Sequence, residues 1–182
     1  MNIPNLLSLA RLMMVPFFPI VFLSGVPQAN LYAAGIYLIA ASTDVLDGYI
    51  SRKYNLVTRL GRILDPLADK LMAFTVLLTI TIAGVVHWWA ISLLFLKELV
   101  MAWGAVSLIR KCDDVFAAEW WGKASTVLLF LVCMVLMIFR LNQIISNALL
   151  AVAITMNVAT LIYYLQMYHK SQGKTINAKN EP

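Results

Sequence analysis

The chain consists of six long apolar segments separated by short stretches that contain glycine, proline or charged residues. Each segment is close to the roughly 20 apolar residues that a helix needs to cross a bilayer. The segments lack the alternation of apolar and polar residues that is typical of membrane barrel strands. The pattern therefore predicts an all-α integral membrane protein with six transmembrane helices. The predicted spans are residues 6–24, 31–51, 62–83, 88–109, 120–139 and 144–168.

The composition supports a membrane protein. Hydrophobic residues make up 62% of the 182 positions and charged residues 13%, and the mean hydropathy is +0.82. A water-soluble globule needs more polar and charged residues than this to cover its surface, so that class is excluded. We predict one membrane domain at residues 1–169. The polar segment 170–182 carries no apolar run and is expected to be a disordered tail.

Lysine and arginine residues are concentrated on one side of the predicted bundle. Of the 14 such residues, only Arg140 falls on the far side when each is assigned to its nearer or functional end. Cytoplasmic loops carry an excess of positive charge, so both termini are predicted to be cytoplasmic. The net charge of +5 suits anionic membrane lipids or phosphorylated substrates. Nucleic acid is not an expected partner, because no basic stripe with interleaved aromatic residues lies outside the predicted spans.

Four aspartates lie within the predicted spans. Asp44 and Asp47 are three residues apart near the end of the second span, and Asp65 and Asp69 are four apart near the start of the third. Each pair shares one helix face. Because the two spans are antiparallel, all four carboxylates are expected at the same, cytoplasmic end. An ionisable residue inside a membrane is costly and indicates a functional site.

Four neighbouring carboxylates require positive charge to stay ionised. Oxygen ligands alone favour Mg2+, Mn2+ or Ca2+ over zinc. Two such cations roughly 3.5–4 Å apart form the clamp used in displacements at phosphorus. A phosphate substrate is also favoured by the basic residues at the same end of the spans, which are Arg52, Lys53, Arg59 and Arg62.

The aspartates belong to a longer motif that resembles a family signature. The sequence reads Asp44-Val-Leu-Asp47-Gly48-Tyr-Ile-Ser51-Arg52, then Gly61 after eight residues, and Asp65 and Asp69 at intervals of four. This is similar to the signature D-x2-D-G-x2-A-R-x8-G-x3-D-x3-D of the CDP-alcohol phosphatidyltransferase family. Ser51 stands where the signature has alanine. The N-terminal segment 2–11 also resembles the opening segment of the family.

The resemblance implies a reaction and a set of site residues. Asp44 and Asp65 would bridge two metal ions, Mg2+ or Mn2+, with Asp47 completing one site and Asp69 the other. Asp69 is also the implied base for the acceptor hydroxyl, which attacks the phosphorus bearing diacylglycerol and releases CMP. The implied CDP-diacylglycerol contacts are Asn5, Ser8, Gly48, Arg52, Thr58 and Gly61. The resemblance further implies a homodimer with its active site at the cytoplasmic face of the cell membrane.

A phosphate-bearing acceptor needs cations beyond the CDP site. The candidates are Lys97, Arg110 and Lys123. For Lys97 the alternative is an ion pair with an acid of a neighbouring copy, such as Glu98, since adjacent side chains on one helix diverge by about 100° and pair poorly. For Arg110 the alternative is an anchor at the membrane interface.

The identity of the acceptor depends on two further resemblances. Lys97-Glu98 is similar to an Arg-Glu pair in the fourth span of family members that use glycerol 3-phosphate, and segment 122–126 is similar to their G-K-x-K-T sequence. Ser125 replaces the second lysine, and Ala105 stands where a basic residue is expected. The favoured function is transfer of a phosphatidyl group to glycerol 3-phosphate. The alternative is cardiolipin synthesis with phosphatidylglycerol as acceptor.

A divalent-cation transporter is the alternative from a different class. Its ion site would be the four aspartates. The outer halves of the predicted spans hold no matching acids, so an alternating path would lack a second set of polar steps. The sequence therefore favours an enzyme.

Overall fold

A computed structural model describes residues 3–54, 61–109, 120–139 and 141–179 of the chain. The described residues form helices and connecting turns, with no strand among them. The six helices are α1 (Ile3–Phe22), α2 (Ala29–Lys53), α3 (Gly61–Ile82), α4 (Trp89–Ile109), α5 (Trp120–Ile138) and α6 (Gln143–Lys179). Each predicted span coincides with one helix, so the all-α prediction is confirmed.

Three stretches of helix are long and apolar enough to cross a membrane. Within the described part of the chain they are Asn5–Phe22 in α1, Ala29–Ser51 in α2 and Gln143–Tyr163 in α6. Helix α5 contributes a shorter apolar stretch, Gly122–Ile138. Helix α3 carries two aspartates and two basic residues in its first ten positions, which lowers its hydropathy. The number of spans therefore remains a prediction for the other three helices.

The outer surface of the bundle is apolar and its interior contains polar side chains. Met13, Phe17 and Val45 are between 58% and 70% exposed, which suits contact with lipid chains. The buried polar side chains are Ser8, Arg11, Asp47, Thr79, Thr81, Ser125, Ser146 and Asn157. This distribution is the one expected of a membrane protein, because lipid favours apolar surfaces and polar groups find partners inside the bundle.

The hydrophobic core of the bundle takes residues from all six helices. The ring of Phe18 on α1 lies 6.3 Å from that of Tyr37 on α2, and the Tyr37 ring lies 4.7 Å from that of Phe130 on α5. Helix α1 packs against both α2 and α3, while α6 packs against α4 and α5. The packing of α1 matters for function because this helix lies against both aspartate-bearing helices.

Short turns separate the helices where the sequence has glycine. Gly25 follows α1 with φ +69° and Gly84 follows α3 with φ +74°. Glycine adopts this left-handed conformation without the steric strain of a side chain. These two turns join α1 to α2 and α3 to α4. The end of α2 and the start of α3 lie at the same end of the bundle, because side chains of both contact the first three turns of α1.

Helix α6 is longer than the sequence predicts. It continues to Lys179, whereas a disordered tail was expected from residue 170. No proline interrupts residues 170–179, and lysine, glutamine and alanine in this segment favour helix.

Candidate active site

Four aspartates line the end of the bundle where α2 finishes and α3 begins. Asp44 and Asp47 lie in the last three turns of α2, and Asp65 and Asp69 in the first three turns of α3. Asp47 is buried with 3% of its surface exposed, while the Asp44 side chain is 44% exposed. Asp44 is within electrostatic range of both Asp47 and Asp69, and Asp47 of Asp65. The four aspartates that the sequence singles out therefore lie at one end of the bundle.

Arg11 of α1 lies between the two aspartates of α2. Its Nη1 atom is 2.9 Å from Asp44 Oδ1, and its Nη2 atom is 2.6 Å from Asp47 Oδ2. The guanidinium is almost completely buried, with 1% of the side chain exposed. The sequence-based site lacks this residue, although an arginine inside an apolar segment is itself a signal of function.

Helix α1 also contacts the aspartates of α3. The hydroxyl of Ser8, which is fully buried, donates a hydrogen bond to Asp65 Oδ1. Ser8 and Arg11 are three residues apart and therefore share one face of α1. A single turn of α1 thus contacts two carboxylates on α2 and one on α3.

Three of the remaining predicted CDP contacts lie at this end of the bundle. Asn5 lies one turn before Ser8 on α1, Gly48 follows Asp47 on α2, and Gly61 is the buried first residue of α3. The backbone of Arg52 belongs to α2. Thr58 and the Arg52 side chain lie outside the described part of the structure.

A second polar cluster adjoins Asp69. Glu98 on α4 accepts ion pairs from Lys70 on α3, at 2.9 Å, and from Lys97, at 3.0 Å. Lys97 Nζ also donates to Asn157 Oδ1 on α6, at 3.2 Å. Lys70 and Glu98 are both within electrostatic range of Asp69. The cluster therefore places one lysine, Lys70, and one acid, Glu98, near the predicted base.

Asn157 fixes this cluster to two neighbouring helices. It is 1% exposed, and its Nδ2 atom donates to the carbonyl oxygens of Ser125 on α5 and Ala153 on α6, both at 3.0 Å. The sequence analysis missed Asn157 and Lys70. An asparagine in the middle of the sixth apolar segment is the signal that could have identified the former.

The predicted acceptor residues differ in their surroundings. Lys97 Nζ lies 3.0 Å from Glu98 Oε1 on the same helix. The expectation that these adjacent side chains pair poorly was therefore wrong, because both side chains are long enough to converge. Lys123 on α5 is exposed and makes no ion pair within 4 Å among the residues that the structure describes. Arg110 lies outside the described residues.

The carboxylate oxygens have the donor chemistry that suits hard divalent cations. Arg11 occupies only one oxygen of each α2 aspartate, so each retains a second oxygen. Within the described ranges, no three His, Cys, Asp or Glu side chains are grouped closely enough to hold a metal ion. The positive charge at the α2 pair in this structure is supplied by Arg11.

Comparison with known proteins gives a consistent result along the whole chain. The model of the family described as CDP-alcohol phosphatidyltransferase matches residues 1–163. A relative from Haemophilus influenzae is 33% identical over 175 residues, covering 91% of this chain and 92% of its own length. A relative from Salmonella paratyphi A is 32% identical over 184 residues, covering 97% and 98%. A third, from Bacillus subtilis, is 34% identical over 137 residues, covering 69% and 70%. All three are named CDP-diacylglycerol--glycerol-3-phosphate 3-phosphatidyltransferase.

Proposed function

This chain belongs to the CDP-alcohol phosphatidyltransferase family, and on that premise we propose that it is a phosphatidylglycerophosphate synthase. It transfers a phosphatidyl group from CDP-diacylglycerol to glycerol 3-phosphate and releases CMP. The observation that carries the proposal is the similarity, over more than 90% of both chains, to two relatives named CDP-diacylglycerol--glycerol-3-phosphate 3-phosphatidyltransferase. The juxtaposition of four aspartates with a lysine-containing cluster supports it.

The reaction is a displacement at phosphorus. A hydroxyl oxygen of glycerol 3-phosphate attacks the phosphorus that bears diacylglycerol, the bond from that phosphorus to the CMP oxygen breaks, and CMP departs with the bonding electrons. Asp69 accepts the proton of the attacking hydroxyl. Its greater exposure compared with Asp47 suits a base that must meet an incoming substrate.

The carboxylates of Asp44, Asp47, Asp65 and Asp69 would hold two divalent cations, Mg2+ or Mn2+, whose chemistry is to offset negative charge on the pyrophosphate. Ser8 orients Asp65 through its hydrogen bond. Asn5, Ser8, Gly48, Arg52, Thr58 and Gly61 hold the CDP moiety. The two glycines allow the nucleotide to approach the helix backbones closely.

The acceptor binds at the neighbouring lysine cluster. Lys97, Arg110 and Lys123 hold the phosphate of glycerol 3-phosphate, with Lys70 as an addition that the structure supports. Glu98 keeps the ammonium groups of Lys70 and Lys97 close together, and both Glu98 and Lys70 are within electrostatic range of Asp69. A phosphate bound at this cluster would place the acceptor hydroxyl near its base.

The wider architecture follows from the same proposal. All six helices cross the cell membrane, both termini are cytoplasmic, and the aspartates face the cytoplasm, where soluble glycerol 3-phosphate is available. The chain functions as a homodimer surrounded by membrane lipids. Cysteine labelling from each side of intact vesicles would test this topology.

Cardiolipin synthesis is a second candidate because one observation favours it. The ammonium group of Lys97 already contacts Glu98 and Asn157, which weakens this lysine as a phosphate ligand. Phosphatidylglycerol, the acceptor in that reaction, needs fewer cations than glycerol 3-phosphate.

An acceptor panel tests the proposal. Purified protein would be given CDP-diacylglycerol, Mg2+ and, in turn, glycerol 3-phosphate, glycerol, phosphatidylglycerol or no acceptor, and CMP release would be measured. We expect release that depends on glycerol 3-phosphate and is at least about tenfold slower with glycerol, which lacks the charge-assisted contacts. Release that depends on phosphatidylglycerol alone would support the second candidate.

A further inference from the structure

The salt bridges of Arg11 are unusual because they neutralise two of the four proposed metal ligands. The guanidinium contacts Asp44 and Asp47 at 2.9 Å and 2.6 Å. Arg11 is attached to α1, whereas both carboxylates belong to α2. Its charge is therefore a fixed part of the bundle and is present whether or not a metal is bound.

Burying the positive charge of Arg11 would destabilise the bundle if the two carboxylates were not there to pair with it. Only 1% of the side chain is exposed. Its Nε atom has no hydrogen-bond partner among the described residues, and its Nη1 atom contacts Asp44 only as an ion pair. A buried charge without a counter-charge is strongly destabilising. Arg11 and the aspartates of α2 thus depend on each other in the absence of any other cation.

Repulsion among the four carboxylates also favours a cation at the position of Arg11. Asp44 and Asp47 are within electrostatic range of Asp69 and Asp65 respectively, so four carboxylates repel one another at one end of the bundle. Asp47 is buried and cannot relieve this repulsion by turning into water. Arg11 is the described cation in direct contact with these carboxylates.

We propose that Arg11 is a tethered counter-cation that holds α1 against the Asp44–Asp47 pair in the metal-free protein and lowers the affinity of that pair for divalent metal. The inference rests on the metal-binding role in the proposed function. It deepens that role by making Arg11 a positioning residue. Arg11 keeps the bundle folded before metal binds, and its positive charge repels the incoming ion, so the metal remains exchangeable.

Arg11→Met tests both parts of the proposal because it removes the charge and retains an unbranched apolar side chain. Thermal unfolding would be followed in detergent with EDTA and with Mg2+, and Mn2+ affinity would be measured by the electron paramagnetic resonance of free Mn2+. In EDTA we expect the midpoint to fall by about 6–12 °C relative to the parent protein. Mg2+ should restore most of this loss, and the variant should bind Mn2+ about tenfold tighter or more.

Two controls separate charge from other effects. Lys174→Met removes one positive charge beyond the predicted membrane domain and should leave both the midpoint in EDTA and the Mn2+ affinity close to the parent values. Arg11→Lys keeps a charge at the site, so its stabilisation by Mg2+ should resemble that of the parent. An Arg11→Lys protein that behaves like Arg11→Met would overturn the role of charge.

A double substitution keeps the test decisive if Arg11→Met folds poorly. Arg11→Met combined with Asp47→Asn removes both members of the closer pair, so in EDTA it should be less destabilised than the sum of the two single changes. Additive losses, an unchanged response to Mg2+ or weaker Mn2+ binding in Arg11→Met would each refute the proposal. None of these measurements requires turnover, so a failure to release CMP would count against the proposed function alone.

Discussion

Lys123→Ala should weaken binding of glycerol 3-phosphate without destabilising the protein. The Lys123 side chain is exposed and has no acidic partner within 4 Å in the described structure, so its removal leaves no buried group unpaired. A lost charge-assisted contact to the substrate phosphate costs about 1.5–3 kcal/mol. This corresponds to about a ten- to two-hundredfold rise in KM for glycerol 3-phosphate.

The assay is CMP release at varied concentrations of each substrate. The KM for CDP-diacylglycerol and the thermal midpoint should stay near the parent values, and saturating glycerol 3-phosphate should restore most of the rate. Lys174→Ala is the matched control, because Lys174 lies beyond the predicted membrane domain, which ends at residue 169. An unchanged acceptor KM in Lys123→Ala would refute the assignment and make Lys123 an interfacial anchor.

Three further substitutions address other parts of the site. Asp65→Asn keeps the shape of the side chain but removes a ligand charge, so metal-dependent CMP release should be lost while the protein remains folded in detergent. Activity within about tenfold of the parent would contradict the two-metal assignment. Asp69→Asn should abolish turnover while CDP-diacylglycerol binding in Mg2+ persists, and parallel loss of binding would make Asp69 chiefly a ligand. Asn157→Leu should lower the free energy of unfolding by about 1–3 kcal/mol, because Lys97 and the Ser125 carbonyl lose a buried partner; an unchanged thermal midpoint would argue against that network.

The helices and the four aspartates could be predicted from sequence because both depend on local spacing. Apolar runs of near-constant length identify the helices, and intervals of three or four residues place each carboxylate pair on one face. Antiparallel packing of α2 and α3 then brings the pairs to the same end. The prediction erred at the end of α6, where polar residues continue the helix to Lys179.

Contacts between distant segments could not be predicted in this way. Arg11 is separated from Asp47 by 36 positions and Lys97 from Asn157 by 60, and the partner of each depends on how the helices pack. The distribution of charge along the sequence indicates Arg11 only as one of the cytoplasmic positive charges. Its position inside an apolar segment, where an unpaired charge is costly, is the feature that indicates a buried ion pair.

The most direct test of the central claim is the identity of the lipid product. Purified protein would be incubated with CDP-diacylglycerol, Mg2+ and isotopically labelled glycerol 3-phosphate, and the lipids analysed by mass spectrometry. We predict labelled phosphatidylglycerophosphate and one equivalent of CMP, with neither formed by the Asp65→Asn protein. Unlabelled lipid, together with cardiolipin formed when phosphatidylglycerol is supplied, would contradict the claim.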